Sequence, residues 1–188
     1  HPVNRRQRQM CIRDRNLRSA YMQLAGYHYM KYKDNEFINE KEASLHREKG
    51  LQVLNRMQDN IPERTIRYDS KELHYQLGRL YGELGNKDEL RRVMNILISR
   101  KDLNIRDKVE YGQVFLAQLD SLERGRAIFE ELYQDFKLIE TGSKLTSQAE
   151  MEQWRNYFVQ IVSSLIFAYK NLDTVSYTHL RAHETTCD

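Results

Sequence analysis

The sequence predicts an all-α fold, and three observations predict it. Apolar residues recur at steps of three and four along nearly the whole chain, the spacing of one helix face. Alternation at a period of two, the mark of a strand, is absent. Glycine and proline number only 8 and 2 in 188 residues, too few for a collagen or a loop-rich all-β chain. With 40% hydrophobic and 30% charged residues of mixed sign, the chain has the material for a core and lacks the composition of a disordered segment.

Each element follows from local chemistry. Leu17, Tyr21, Leu24, Ala25, His28 and Tyr32 make a first helix, and the polar stretch Lys33 to Glu42 separates it from a second. That second helix carries Leu45, Leu51, Leu54 and Met57 and stops near Ile61-Pro62, because proline drives the residue before it out of the helical region. Ser70 caps a third, holding Leu73, Leu77, Leu80, Tyr81 and Leu84 and ending at Gly85. Asn86 and Glu89 have the spacing of a capping box for a fourth, with Leu90, Met94 and Leu97. Two more are expected over about 105–119 and 121–136, with Asp120 and Glu123 at the start of the second. Thr141-Gly142-Ser143 reads as a turn, and a long last helix begins near Thr146. Its stripe of Met151, Trp154, Phe158, Ile161, Leu165 and Tyr169 is widened by Tyr157, Val162 and Ile166. So broad a face needs cover on more than one side. It is expected to be core rather than a membrane-surface or dimerising face, since no basic face accompanies it.

The helices come in pairs joined by short loops, which calls for a repeat reading. In the third helix Leu77-Gly78, Tyr81 and Gly85 place a small residue between apolar ones, with a glycine at the turn. Partner helices offer a small residue, a large apolar one four later and another three after that: Gly50, Leu54 and Met57 with Pro62 beyond, and Gly125, Phe129 and Leu132. Leu90 takes the small position before Met94 and Leu97. This arrangement resembles the tetratricopeptide repeat (TPR). The resemblance implies an all-α, TPR-like α-solenoid of about three helix-turn-helix units over residues 16–174, plus the long C-terminal helix. The departures are Ala25 in place of a glycine in the first unit, and Gln113 and Leu116 where the third unit should carry glycine and tyrosine.

The run Leu54-Asn55-Arg56-Met57, with Ile61-Pro62-Glu63, Leu77-Gly78 and Tyr81, is also similar to the soluble C-terminal region of bacterial membrane proteins related to protein O-mannosyltransferases. That resemblance implies a helical-repeat region following membrane spans, tethered through upstream sequence that would hold the catalytic part.

The two ends are read apart from the interior. Gln9-Met10-Cys11-Ile12-Arg13-Asp14 can be written as codons whose reverse complement encodes Val-Ser-Tyr-Thr-His-Leu, the sequence of residues 175–180. Residues 1–15 and 175–188 therefore resemble translated transposase adapters of a sequencing library, and 16–174 a fragment of a longer, bacterial protein. With five arginines and one acid before residue 16, and one arginine and two acids after 174, the interior keeps 24 basic and 24 acidic residues. A neutral domain releases few phosphate counterions, so nucleic acid is not expected as a partner. Cys11 and Cys187 both fall in the end segments, leaving no thiol chemistry inside.

No phosphate loop, dinucleotide fingerprint, His-Glu-x-x-His or paired-cysteine metal motif occurs. The expectation is thus a non-catalytic protein-protein interaction or scaffold module. It has no cofactor, metal or membrane insertion of its own, is cytoplasmic or periplasmic, and has a protein, a peptide or another domain of its parent as partner. His28, His46 and His74 lie on three different helices, and His28 reads as a packed histidine rather than a ligand. The family's groove positions fall on Met22, Gly26 and Tyr29, on Tyr75, Arg79 and Glu83, and on Glu110, Val114 and Gln118. Of these, Tyr29, Tyr75, Arg79, Glu83, Glu110 and Gln118 are the candidate partner-binding residues. For Tyr29 and Tyr75 the alternative is that they cover the shallow end of the core.

Overall fold

The computed structural model describes the backbone of residues 5–61, 70–142 and 148–184, and the side chains of 12–61, 70–135 and 152–172. Seven helices and no strand occur among the described residues: α1 (Arg5–Asn35), α2 (Glu40–Asn60), α3 (Lys71–Glu83), α4 (Lys87–Ile98), α5 (Ile105–Ala117), α6 (Leu122–Gly142) and α7 (Gln148–Glu184). The fold is all-α and helical-repeat-like. It divides into two compact units, 1–97 with α1–α4 and 98–188 with α5–α7.

In the first unit the helix ends carry the expected chemistry. The Ser70 side chain accepts from the backbone N–H of Leu73 at 3.2 Å, and Asn86 accepts from that of Glu89 at 3.1 Å. The Glu89 carboxylate does not complete the box; it takes Gln58 at 2.7 Å and Arg92 at 2.9 Å. The break between α1 and α2 is shorter than the polar stretch suggested. Side-chain pairs Lys31–Asp34 and Lys33–Glu36 extend α1 to Asn35, and Asn39 caps α2. Met22, Ala25, Leu54, Met57, Leu77, Tyr81, Leu84, Leu90, Val93, Met94 and Leu97 are buried. Ala25 stands buried where the repeat pattern asks for glycine. Across the α3/α4 hairpin, a Cβ on Gly78 would sit 3.3 Å from Val93 and 3.5 Å from Leu90. Gly85 turns the chain with φ +81°, in the left-handed region.

The second unit repeats that hairpin with its own residues. Tyr111, Gly112 and Phe115 are each 34 positions after Leu77, Gly78 and Tyr81, and all are buried. Gly125, Ile128, Phe129 and Leu132 are each 35 after Leu90, Val93, Met94 and Leu97, and they too are buried. Asp120, 35 after Gly85, is the one non-glycine residue with positive φ (+50°) among the described residues. This corrects the register read from sequence. The small and aromatic positions of α5 are Gly112 and Phe115, not Gln113 and Leu116. The extra residue falls in the turn, so the 35-residue step of the second helices does not apply to the first. Asn104 and Asp107 form a complete capping box at the start of α5.

α7 lays Ile161 and Ala168 into the core of the unit, with Trp154, Phe158 and Leu165 half-buried on the same side. Phe158 stacks on Tyr133 of α6 with centroids 6.2 Å apart. Tyr169 hydrogen-bonds Glu130 beneath the Arg126 guanidinium. The turn expected at Thr141-Gly142-Ser143 does not begin before Gly142, where α6 ends, and 143–147 lie outside the described residues, as does the Met151 side chain.

Where they are described, the end segments continue the helices beside them. Residues 5–15 form the first turns of α1, because the segment lacks glycine and proline and a helix once nucleated extends through good helix formers. Asp14 is buried within it, one turn from the buried Arg18. Burial lowers the Arg18 pKa, and the Asp14 charge acts in the opposite sense. At the other end α7 continues to Glu184.

Candidate functional site

α1 and α3 lie against each other in the first unit and leave a groove of about 350 Å³ between them. α1 contributes Ser19, Met22, Gln23 and Tyr29, and α3 contributes Leu73, Gln76, Arg79, Leu80 and Glu83. Both sets recur at helical steps, so each is a single stripe of its helix. Met22, Leu73 and Leu80 supply an apolar floor. Gln23 and Gln76, one from each helix, are exposed and carry both an amide donor and an amide acceptor.

Two polar groups at one end differ in their commitments. Burial first and then the neighbouring Glu83 carboxylate raise the Tyr29 pKa, against the smaller effects of Lys33 and Arg79. Arg79 is exposed and makes no ion pair or hydrogen bond among the described residues. Gly26 lies on the same face of α1 between Met22 and Tyr29, and nothing comes within 4 Å of where its Cβ would be. A helix-interior glycine costs roughly 0.5–1 kcal/mol against alanine, and here no packing contact requires it. The wall of α1 is left low at its centre.

Of the residues singled out by sequence, Met22, Tyr29, Arg79 and Glu83 meet in this groove. Tyr75 does not line it; it is half-buried, about 100° round α3 from Gln76, because the stripe runs through 73, 76, 80 and 83. Glu110, Val114 and Gln118 belong to the second unit, where Val114 is buried in the core, Glu110 is half-buried and Gln118 is an exposed C-cap. Ser19, Gln23 and Gln76 are not singled out by sequence, and Leu73 and Leu80 read only as apolar positions of their helix. Their three- and four-residue spacing around Met22 and Arg79 is the signal that could have found them.

A second cluster joins α1 to α2. His28 and His46 face each other with their Nδ1 atoms 2.9 Å apart, and Tyr27 lies edge-on to both rings. Glu42 stands 3.9 Å from the Nε2 of His46. His28 is thus a paired interface residue. His74 is buried on α3. No group of three or more histidine, cysteine or acidic side chains is placed to hold a metal ion among the described residues, and no described helix is long and apolar enough to cross a membrane. No family model, curated protein or solved structure matched the chain.

Proposed function

We propose that the chain is a non-catalytic interaction module of tetratricopeptide-like helix pairs that binds an extended peptide segment of a partner protein between α1 and α3. The groove itself carries this reading. Its apolar floor suits one or two aliphatic side chains, and Gln23 and Gln76 suit main-chain amides on either side. Arg79 offers to an acidic side chain an exposed guanidinium that makes no ion pair or hydrogen bond among the described residues, and Glu83 lies beside the Tyr29 phenol. The repetition of Leu77, Gly78 and Tyr81 as Tyr111, Gly112 and Phe115 supports the repeat reading, since 34 residues is that family's period.

Selection from a random peptide library displayed on phage tests the proposal. Enriched sequences should pair an acidic residue with a nearby aliphatic one, and binding should be confirmed by titrating a synthetic peptide. Arg79→Glu and Gly26→Trp should each weaken that peptide at least roughly tenfold while leaving the far-ultraviolet circular dichroism unchanged, because both positions face the groove. Enrichment of nothing, or an affinity indifferent to both substitutions, removes the groove as the binding site.

A further inference from the structure

Gly26 is a residue that the packing of the chain itself does not explain. It lies in the interior of α1, where glycine is destabilising relative to alanine. Its backbone does not require glycine, since the positive φ among the described glycines belongs to Gly85. Nor does a neighbour require it. A Cβ on Gly50, Gly78, Gly112 or Gly125 would stand within 3.3 Å of an opposing side chain, whereas at Gly26 nothing comes within 4 Å. The remaining physical use of a glycine is to let a ligand approach the backbone closely.

The surroundings of this notch select what enters it. Met22 and Tyr29 lie on its two sides, about 10 Å apart along the helix axis. Arg79 faces them from α3, close enough for its charge to act on the Tyr29 phenol. All three groups favour an aromatic ring over an aliphatic chain. A thioether makes attractive contacts with a ring edge, a phenol pairs with a second ring by stacking or edge-on contact, and a guanidinium is drawn to a ring face. We propose that Gly26 is a specificity-determining position of the groove, and that its notch receives one aromatic side chain of the bound segment against the α1 backbone, between Met22 and Tyr29. This rests on the α1–α3 groove being the binding site, and it adds an aromatic residue to the acidic and aliphatic ones selected there.

Peptides selected on the wild-type chain from a random phage-displayed library provide the probe. The leading sequence is synthesised in two forms, one with its aromatic residue and one with alanine in that place. Each is titrated against the wild-type chain, Gly26→Ala and Gly26→Leu. The aromatic form should bind the wild-type chain at least roughly tenfold more tightly than the alanine form. On Gly26→Leu the two forms should bind alike, because the leucine fills the notch. Gly26→Ala should melt above the wild-type chain, since alanine is the better helix former and meets no neighbour, yet bind the aromatic form more weakly. Selected peptides that lack an aromatic residue overturn the notch and leave the groove standing, as does an aromatic form whose advantage over alanine is indifferent to both substitutions. Selection of nothing overturns the groove, and the notch with it.

Discussion

The hairpins α3/α4 and α5/α6 carry large and small residues in exchanged order at one pair of equivalent positions. In the second, Leu116 on α5 presses on Gly125 of α6 so closely that a Cβ there would overlap the leucine side chain. At the corresponding positions of the first hairpin stand Gly82 and Leu90, the large residue now on the other helix. Close-packed interiors need one small partner for each large one across a contact, and they are indifferent to which helix supplies it. A signature keyed to a single helix therefore matches the first hairpin and loses the second.

The largest effect should come from forcing both helices to be large. Gly125→Leu is expected to cost about 2–3 kcal/mol, since its Cβ would overlap the Leu116 side chain, whose Cγ lies 2.6 Å away close to the α5 backbone. Leu116→Ala alone should cost about 2–5 kcal/mol. Combined, the two should lose less than their sum by about 0.5–3 kcal/mol, because the pair then copies the first hairpin. Urea unfolding followed by Trp154, the single tryptophan and a residue of this unit, measures all three. Strict additivity would end the exchange reading.

A smaller effect separates the two first-helix glycines. The Cβ of Gly112→Ala would meet the Phe129 ring at 2.9 Å, whereas that of Gly78→Ala meets the Val93 methyl at 3.3 Å. The first should destabilise by about 1–2 kcal/mol. The second should be near neutral, its crowding offset by the roughly 1 kcal/mol that alanine gains over glycine in a helix. Equal costs would mean that the hairpins do not differ in closeness of approach.

How much of this was legible follows from where each signal resides. Ser70, Asn86, Gly85 and the trio Leu77, Gly78 and Tyr81 act within a turn or two of themselves, so local chemistry was enough to place them. The register of α5 was missed because it depends on one extra residue in a turn, which no helix periodicity reports. The groove was half legible. Tyr29, Arg79 and Glu83 stood out as residue types, but Gln23 and Gln76 acquire a role only when two helices are brought together. The pairing of His28 with His46 is equally invisible from either helix alone.

Tyr81 and Phe115 occupy equivalent places in the two hairpins and differ by one hydroxyl. In Tyr81 that hydroxyl is buried without a hydrogen-bond partner among the described residues, and burial together with the nearby Glu89 charge raises its pKa. Tyr81→Phe removes an unsatisfied donor and transplants the second hairpin's solution. It should stabilise the first unit by about 1 kcal/mol, read as a later urea midpoint by circular dichroism at an unchanged slope. A loss of stability would show that the hydroxyl has a partner after all.

The smallest effect is the pH response of the α1–α2 contact, where His28 and His46 pair in the first unit. One imidazole must donate and the other accept across the 2.9 Å gap, so a second proton on the pair breaks the bond. Burial, then the proximity of His46, then Lys49 hold the His28 pKa below its usual 6.5. The unfolded chain thus takes up a proton at a pH where the folded one resists it. Stability contributed by the contact is present above about pH 6.5 and declines as pH falls from there through the depressed pKa. His28→Gln, which keeps a hydrogen-bonding group but cannot titrate, should flatten that decline. Hydrogen exchange of α1 and α2 amides at pH 7.5 and 5.5 reads it directly: the wild-type chain should lose protection in both helices at the lower pH, after correction for the intrinsic exchange rate, and the variant should not. Equal loss in the two proteins would place the pH response elsewhere in the chain.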